Sequence, residues 1–135
     1  MQVTSTAISL NVDDVTASAD FARSHLGYEQ AMAADGFVSL KRDDAAVDLI
    51  FLRKGIEVLP DGLRDQHAAG LIVALVVDDI QTEYDRLTAE GVPVTVPLKT
   101  EEWGERLFVV ADPNGVHYEF VQWVTPEGGA QDWQG

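Results

Sequence analysis

Ile8-Ser9-Leu10-Asn11-Val12-Asp13-Asp14, near the start of the chain, returns in kind as Val73-Ala74-Leu75-Val76-Val77-Asp78-Asp79. Each run is an apolar-rich stretch of strand character that ends in two aspartates. In the first, Ile8, Leu10 and Val12 fall on one face, and Ala7, Ser9 and Asn11 on the other. That alternation marks a strand covered on one side. An aspartate of each pair is placed to cap a helix. Val15, Ala19, Ala22 and Leu26 then repeat at helical spacing, as do Ile80, Tyr84 and Leu87. Phe21 lies off the centre of the first stripe and is expected at its margin. Gly27 and Gly91 stand where helices often end on a left-handed residue. The step from Gly27 to Gly91 is one residue shorter than the step from Asp14 to Asp79. Self-similarity at a fixed period marks a duplicated unit.

Three strands are expected after each helix. In the first copy they are Tyr28 to Ala33, Phe37 to Arg42 and Ala45 to Arg53, with Asp35-Gly36 and Asp43-Asp44 at the turns. In the second they are Val92 to Leu98, Arg106 to Ala111 and Val116 to Trp123, with Lys99 to Gly104 irregular. The expected class is α+β, a tandem of β-α-β-β-β modules within a single domain. Module one covers about 4–53 and module two about 71–124. Residues 54–70 hold Gly55, Pro60, Gly62 and Gly70 without a period and read as a linker; 125–135 are Gly-, Gln- and acid-rich and read as a loose tail.

The last strand pair carries the oddest residue. Asp112-Pro113-Asn114-Gly115 is a turn: Asp112 can bond the backbone two residues on, and Gly115 permits positive φ. Beyond it, His117, Glu119, Val121 and Trp123 share one strand face, while Tyr118, Phe120 and Gln122 share the other. A buried lone carboxylate is costly, so Glu119 must face water, a partner or a metal.

At 135 residues and 46% hydrophobic content, the chain can bury a core. There is no cysteine, hence no disulfide and no thiolate chemistry. A net charge of −14 argues against nucleic acid and anionic membranes as partners; it would attract a cationic small ligand, whereas an acidic surface that only keeps the protein soluble needs none. Residues 1–15 lack the basic start and apolar core of a signal peptide, so the expected location is cytoplasmic. No serine sits in a nucleophile-elbow context and no Gly-rich loop cradles phosphate.

Together, the two strand–Asp–helix–Gly openings, the Asp112-Pro113-Asn114-Gly115 hairpin and Glu119 seven residues past Asp112 resemble the vicinal oxygen chelate superfamily. That group includes glyoxalases, extradiol dioxygenases and the bleomycin-resistance drug-binding proteins. The resemblance covers about residues 4–124. It implies curved sheets around a cleft, and a homodimer. Metal-using members take ligands from the first and last strands of both modules. Carried over, those positions are Ala7, Asp48, Ile72 and Glu119. Ala7 and Ile72 offer no donor atom, and two carboxylates alone make a poor transition-metal site. The expectation is therefore no metal, no cofactor and no catalytic residue.

The segment Thr100-Glu101-Glu102-Trp103-Gly104-Glu105-Arg106 looks like the corresponding part of bleomycin-resistance proteins. An exposed Trp103 flanked by acids suits a flat cationic or aromatic ligand, whereas a Trp that merely covers the end of the sheet would need none. The expected ligand-binding residues are Ser9, Asn11, Tyr28, Phe37, Asp48, Ile50, Trp103, His117, Glu119 and Trp123. The function read from this set is non-catalytic binding of a flat aromatic or cationic small molecule, such as an antibiotic. The alternative is a metal-dependent lyase, isomerase or dioxygenase with a rebuilt site of Asp48, His117 and Glu119, with His67 as a further ligand. A regulatory dimer with a vestigial cleft is the third reading. His25, near the end of the first helix, also suits the helix dipole.

Overall fold

The computed structural model describes residues 1–124; the expected loose tail, 125–135, lies outside them. Two four-stranded curved sheets each carry one helix, an α+β fold of β-α-β-β-β modules. The elements are β1 (Thr6–Val12), α1 (Val15–Leu26), β2 (Glu29–Ala34), β3 (Phe37–Lys41), β4 (Val47–Arg53), β5 (Ile72–Val76), α2 (Ile80–Ala89), β6 (Val94–Thr100), β7 (Glu105–Ala111) and β8 (His117–Trp123). The strand orders are β1-β4-β3-β2 and β5-β8-β7-β6. In each sheet the first strand runs parallel to the last of its module, and the remaining pairs are antiparallel.

The chain divides into two compact units. The first is Met1–Leu71 together with Asp112–Val116; the second is Ile72–Ala111 with the chain from His117 on. In the first unit, Asp14 caps α1, its side chain accepting from Ala17 N, and Gly27 ends the helix at φ 71°. Arg42 donates to the Leu26 carbonyl, so the last turn is closed by a cation as well. Leu10, Val12, Val38, Leu40, Leu49 and Phe51 form the buried sheet face, with Ala19, Ala22 and Leu26 from α1. Phe21 joins them rather than resting at a margin, at 7% exposure, with its ring tilted against His25.

In the second unit, Asp79 caps α2 through Thr82 N and Oγ1. Tyr84 meets Phe108 edge-on at 5.0 Å, and Phe108 stacks on Phe120 at 4.8 Å. Such pairs add about 0.5–1.5 kcal/mol beyond area burial. Ile80, Leu87, Val110 and Tyr118 complete this core. The segment expected to be irregular, Lys99 to Gly104, is irregular only after Thr100. Lys99 and Thr100 still pair with Leu107 and Arg106, because two register shifts absorb the mismatch earlier in β6.

The linker is not featureless. It folds into successive turns braced by its own bonds, including Gly55 N to Arg64 O at 2.6 Å and Arg64 Nε to Leu59 O at 2.8 Å. No helix among the described residues is long and apolar enough to cross a membrane.

Candidate functional site

Each sheet has a helix-bearing face and a helix-free face. Cross-strand partners point to the same side, so the register assigns the helix-free residues directly. In the first unit, Ala7 stands opposite Asp48. A second lane runs Ser9, Ile50, Ser39 and Met32; a third runs Asn11, Leu52, Phe37 and Ala34. Five of the expected residues (Ser9, Asn11, Phe37, Asp48 and Ile50) thus share one face.

Two of the expected residues sit differently from a free ligand contact. Asn11 is committed: its amide donates to Leu63 O at 2.8 Å and Gln66 O at 3.0 Å. Tyr28 is not on this face. It is buried past the end of α1, with the Arg42 guanidinium 6.0 Å from its ring centroid. Burial pushes its hydroxyl above the ordinary pKa, and Arg42 partly opposes that shift. The residue after Gly27 packs under the helix end, which the simple strand alternation could not register.

The second unit's helix-free face has a different chemistry. Its lanes are Ile72–His117–Ala111, then Ala74–Glu119–Val109–Val96, then Val76–Val121–Leu107, and Trp123–Glu105 at the end. Leu107, Val109 and Val121 are buried as a cluster, with Val96 and Trp123 packed against it. Glu119 sits beside that cluster. Burial raises its carboxyl pKa first, and the charge of Glu105 raises it further. Trp103, 54% exposed in the turn before β7, donates its indole N–H to Glu105 Oε1 at 2.9 Å. Glu105, which sequence reasoning named only as an acid flanking Trp103, joins this face opposite Trp123. Starting the strand at Arg106 placed Glu105 in a loop; one more step of alternation back from Leu107 would have found it.

The register also bears on a metal. Asp14 and Asp79 cap equivalent helices, which equates Ala7 with Ile72. Asp48 then corresponds to His117, and Ile50 to Glu119. Each donor on a last strand faces a first-strand residue with no donor: Ala7, Ile72 or Ala74. No three His, Asp or Glu side chains among the described residues are grouped to hold a metal ion. The donor set does not fit a resident transition metal of the kind that metal-using relatives of this fold hold. His67 bonds its own neighbour, Ala68 O, through Nδ1 at 3.0 Å.

These features belong to a known class. Residues 4–120 match the Glyoxalase/Bleomycin resistance protein/Dioxygenase superfamily, and the chain belongs to it. A glyoxalase/bleomycin resistance protein/dioxygenase from Nocardioides is 26% identical with a TM-score of 0.72, the alignment covering 100% of this chain and 91% of that one. TnmS3, an antibiotic binding protein from Streptomyces sp. CB03234, is 21% identical with a TM-score of 0.68, covering 91% and 98%. A lactoylglutathione lyase from Agrobacterium tumefaciens is 19% identical with a TM-score of 0.70, covering 90% and 94%. Among curated proteins nothing matches.

Proposed function

We propose that this chain binds a flat, aromatic, cationic small molecule, such as an antibiotic, and does not transform it by metal chemistry. One observation carries the reading. Glu119 is a carboxylate beside a buried apolar cluster, on the same face as Glu105 and Trp123, with Trp103 fastened to Glu105. A cation there offsets both causes that raise the Glu119 pKa, the loss of hydration and the repulsion from Glu105. An aromatic ligand gains stacking on indole, and a desolvated cation over such a ring adds on the order of 2 kcal/mol. Ser9, Phe37, Asp48 and Ile50 form a second and more polar contact surface on the first sheet. The fold neighbours include an antibiotic binding protein and a lyase, so likeness of fold favours neither; the chemistry of the face favours binding.

The working form is a cytoplasmic homodimer. β5 is an edge strand, and Ile72 and Val76 on it are 55% and 65% exposed, surface that a second copy would bury. Light scattering should give twice the 14.7 kDa chain mass at micromolar concentration. A monomer mass refutes the dimer.

The test of binding is tryptophan fluorescence titration with planar cationic antibiotics and their metal chelates. Saturable quenching should weaken in Trp103→Ala and in Glu119→Gln. Binding that ignores both substitutions removes the reading. Recovery of a chemically altered ligand, together with a metal lost on Glu119→Ala, installs instead the lyase, isomerase or dioxygenase built on Asp48, His117 and Glu119.

A further inference from the structure

We infer that residues 55–68 form a releasable strap, fastened by Asn11 across one end of the first sheet's helix-free face, which controls access to the lane of Leu52 and Phe37. The fastening is concentrated on one residue. Asn11 donates its amide to the carbonyls of Leu63 and Gln66, and its own carbonyl accepts from Ala68 N at 2.7 Å. Among the described residues, every hydrogen bond from 59–68 to the sheet ends on Asn11; the strap's other bond to the sheet, Ile56 N to Arg53 O at 3.0 Å, lies at its hinge beside Gly55.

The strap is otherwise braced on itself. Leu63 N and Arg64 N donate to Pro60 O, Gln66 Nε2 donates to Gly62 O, and Gly55 N donates to Arg64 O. It is thus built to move as one piece. Gly55 at φ 88° and Gly70 at φ 71° flank it in open space, since a Cβ at either would meet nothing within 4 Å. Its apolar anchoring is partial: Val58 and Leu63 are 76% and 57% exposed, while Ile56 and Leu59 are half-buried. Few buried contacts and a small number of polar ties place a segment at the low-stability end of a fold.

The lane that holds Asn11 differs from the rest of the face. Leu52 is 6% exposed although it points away from the helix, while Ser9, two residues along β1 from Asn11, is exposed. Release of Asn11 would extend the apolar surface next to Ile50 by the Leu52 and Phe37 side chains. That consequence rests on the first sheet's face being a contact surface for ligand; the strap itself does not.

Trypsin reads the strap without any ligand, because Arg64 lies within it. In the full wild-type chain, cleavage after Arg64 should be slow. In Asn11→Ala it should be faster by about tenfold or more, the loss expected for two hydrogen bonds. Asn11→Asp should behave alike, since a carboxylate cannot donate to two carbonyls, and its near-identical size guards against a packing artefact. Amide exchange at Ala68 should rise in both variants while the β3 and β4 amides keep their protection. Unchanged cleavage at Arg64 in both variants overturns the inference. So does acceleration at Arg64 matched by acceleration at Lys41 within β3, which would mean general loosening. If the strap releases and no planar ligand ever binds, the strap stands and the contact-surface reading falls.

Discussion

Replacing Asp112 tests whether the hairpin turn holds the first unit together. Asp112 is 5% exposed. Its Oδ1 accepts from Asn114 N at 2.8 Å and Val116 N at 2.9 Å, and its Oδ2 accepts from Ser18 Oγ at 2.6 Å. Ser18 is fully buried in α1, and Asn114 reaches back to Ser18 Oγ and to Asp14 O, both at 2.7 Å. Asp112→Ala strips the acceptor from two backbone amides and a hydroxyl. Each buried donor left unmatched costs about 1–3 kcal/mol. Asn114 is half-buried, so water can relieve its amide; Val116 N and Ser18 O–H remain. The expected loss is about 3–5 kcal/mol, a large share of the roughly 5–15 kcal/mol that holds a domain. Asp112→Asn keeps the Oδ1 acceptor and spoils only the Ser18 bond, for a loss of about 1–2 kcal/mol. Urea unfolding followed by far-UV circular dichroism measures both, with the denaturant slope unchanged. A loss below about 1 kcal/mol for the alanine variant, or equal losses for the two, refutes the account.

Three further outcomes follow from the geometry. Glu119 is an acid whose pKa is raised in the fold, so it binds its proton more tightly folded than unfolded. Its penalty is absent below the ordinary carboxylate range, grows as pH rises through the raised value, and persists at neutral pH. Glu119→Gln should raise Tm at pH 7 and leave it unchanged below about pH 4; a lowered Tm at pH 7 contradicts the stated causes. Gly27→Ala should cost more than Gly91→Ala, measured by thermal melting. Both have positive φ, but a Cβ at Gly27 would meet Arg42 Nη1 at 2.5 Å whereas one at Gly91 meets nothing within 4 Å. Ile72→His should create zinc affinity visible by calorimetry, because Ile72 pairs with His117 one pleat from Glu119. That affinity should vanish when His117→Ala is added; zinc binding that survives points to other ligands.

The features legible in the sequence are those set by local rules. Asp14 and Asp79 cap as their positions imply, Gly27 turns left-handed, and Asp112 bonds two residues on at Asn114 N. Period and capping are short-range effects, so they survive translation into three dimensions. The residues of the helix-free faces were legible through alternation, provided the strand limits were right; one residue of error at β7 left Glu105 as a loop acid beside Trp103 rather than a strand residue opposite Trp123. Long-range commitments left no local trace. Nothing near Asn11 announces that Leu63 and Gln66 will take its amide, and nothing near Gln122 announces that it will hold the start of α2 through Ile80 N and Asp78 O. Tyr28 was misplaced for the same reason, since Arg42 that covers it lies beyond two further strands.

The two modules therefore divide their sequence between a shared task and separate ones. Caps, helix-end glycines and the buried helix-bearing faces repeat, because each module must solve the same problem of laying one helix on four strands. The helix-free faces do not repeat. Ser9, Asn11 and Asp48 make the first polar, and its Asn11 is spent on holding the chain's own strap. At the places equivalent to Ser9, Asn11 and Asp48 the second has Ala74, Val76 and His117. It carries its acid one pleat further, where Ile50 stands in the first. Core packing constrains only the opposite face, so the helix-free faces are free to take separate chemistry. The two helix-free faces therefore offer different surfaces to whatever meets them. On the second face, that chemistry is a carboxylate with a raised pKa, a neighbouring carboxylate and two indoles around an apolar floor. The flat cation proposed above would relieve that charge while its ring rests on the floor, which an anion or a neutral chain would not do.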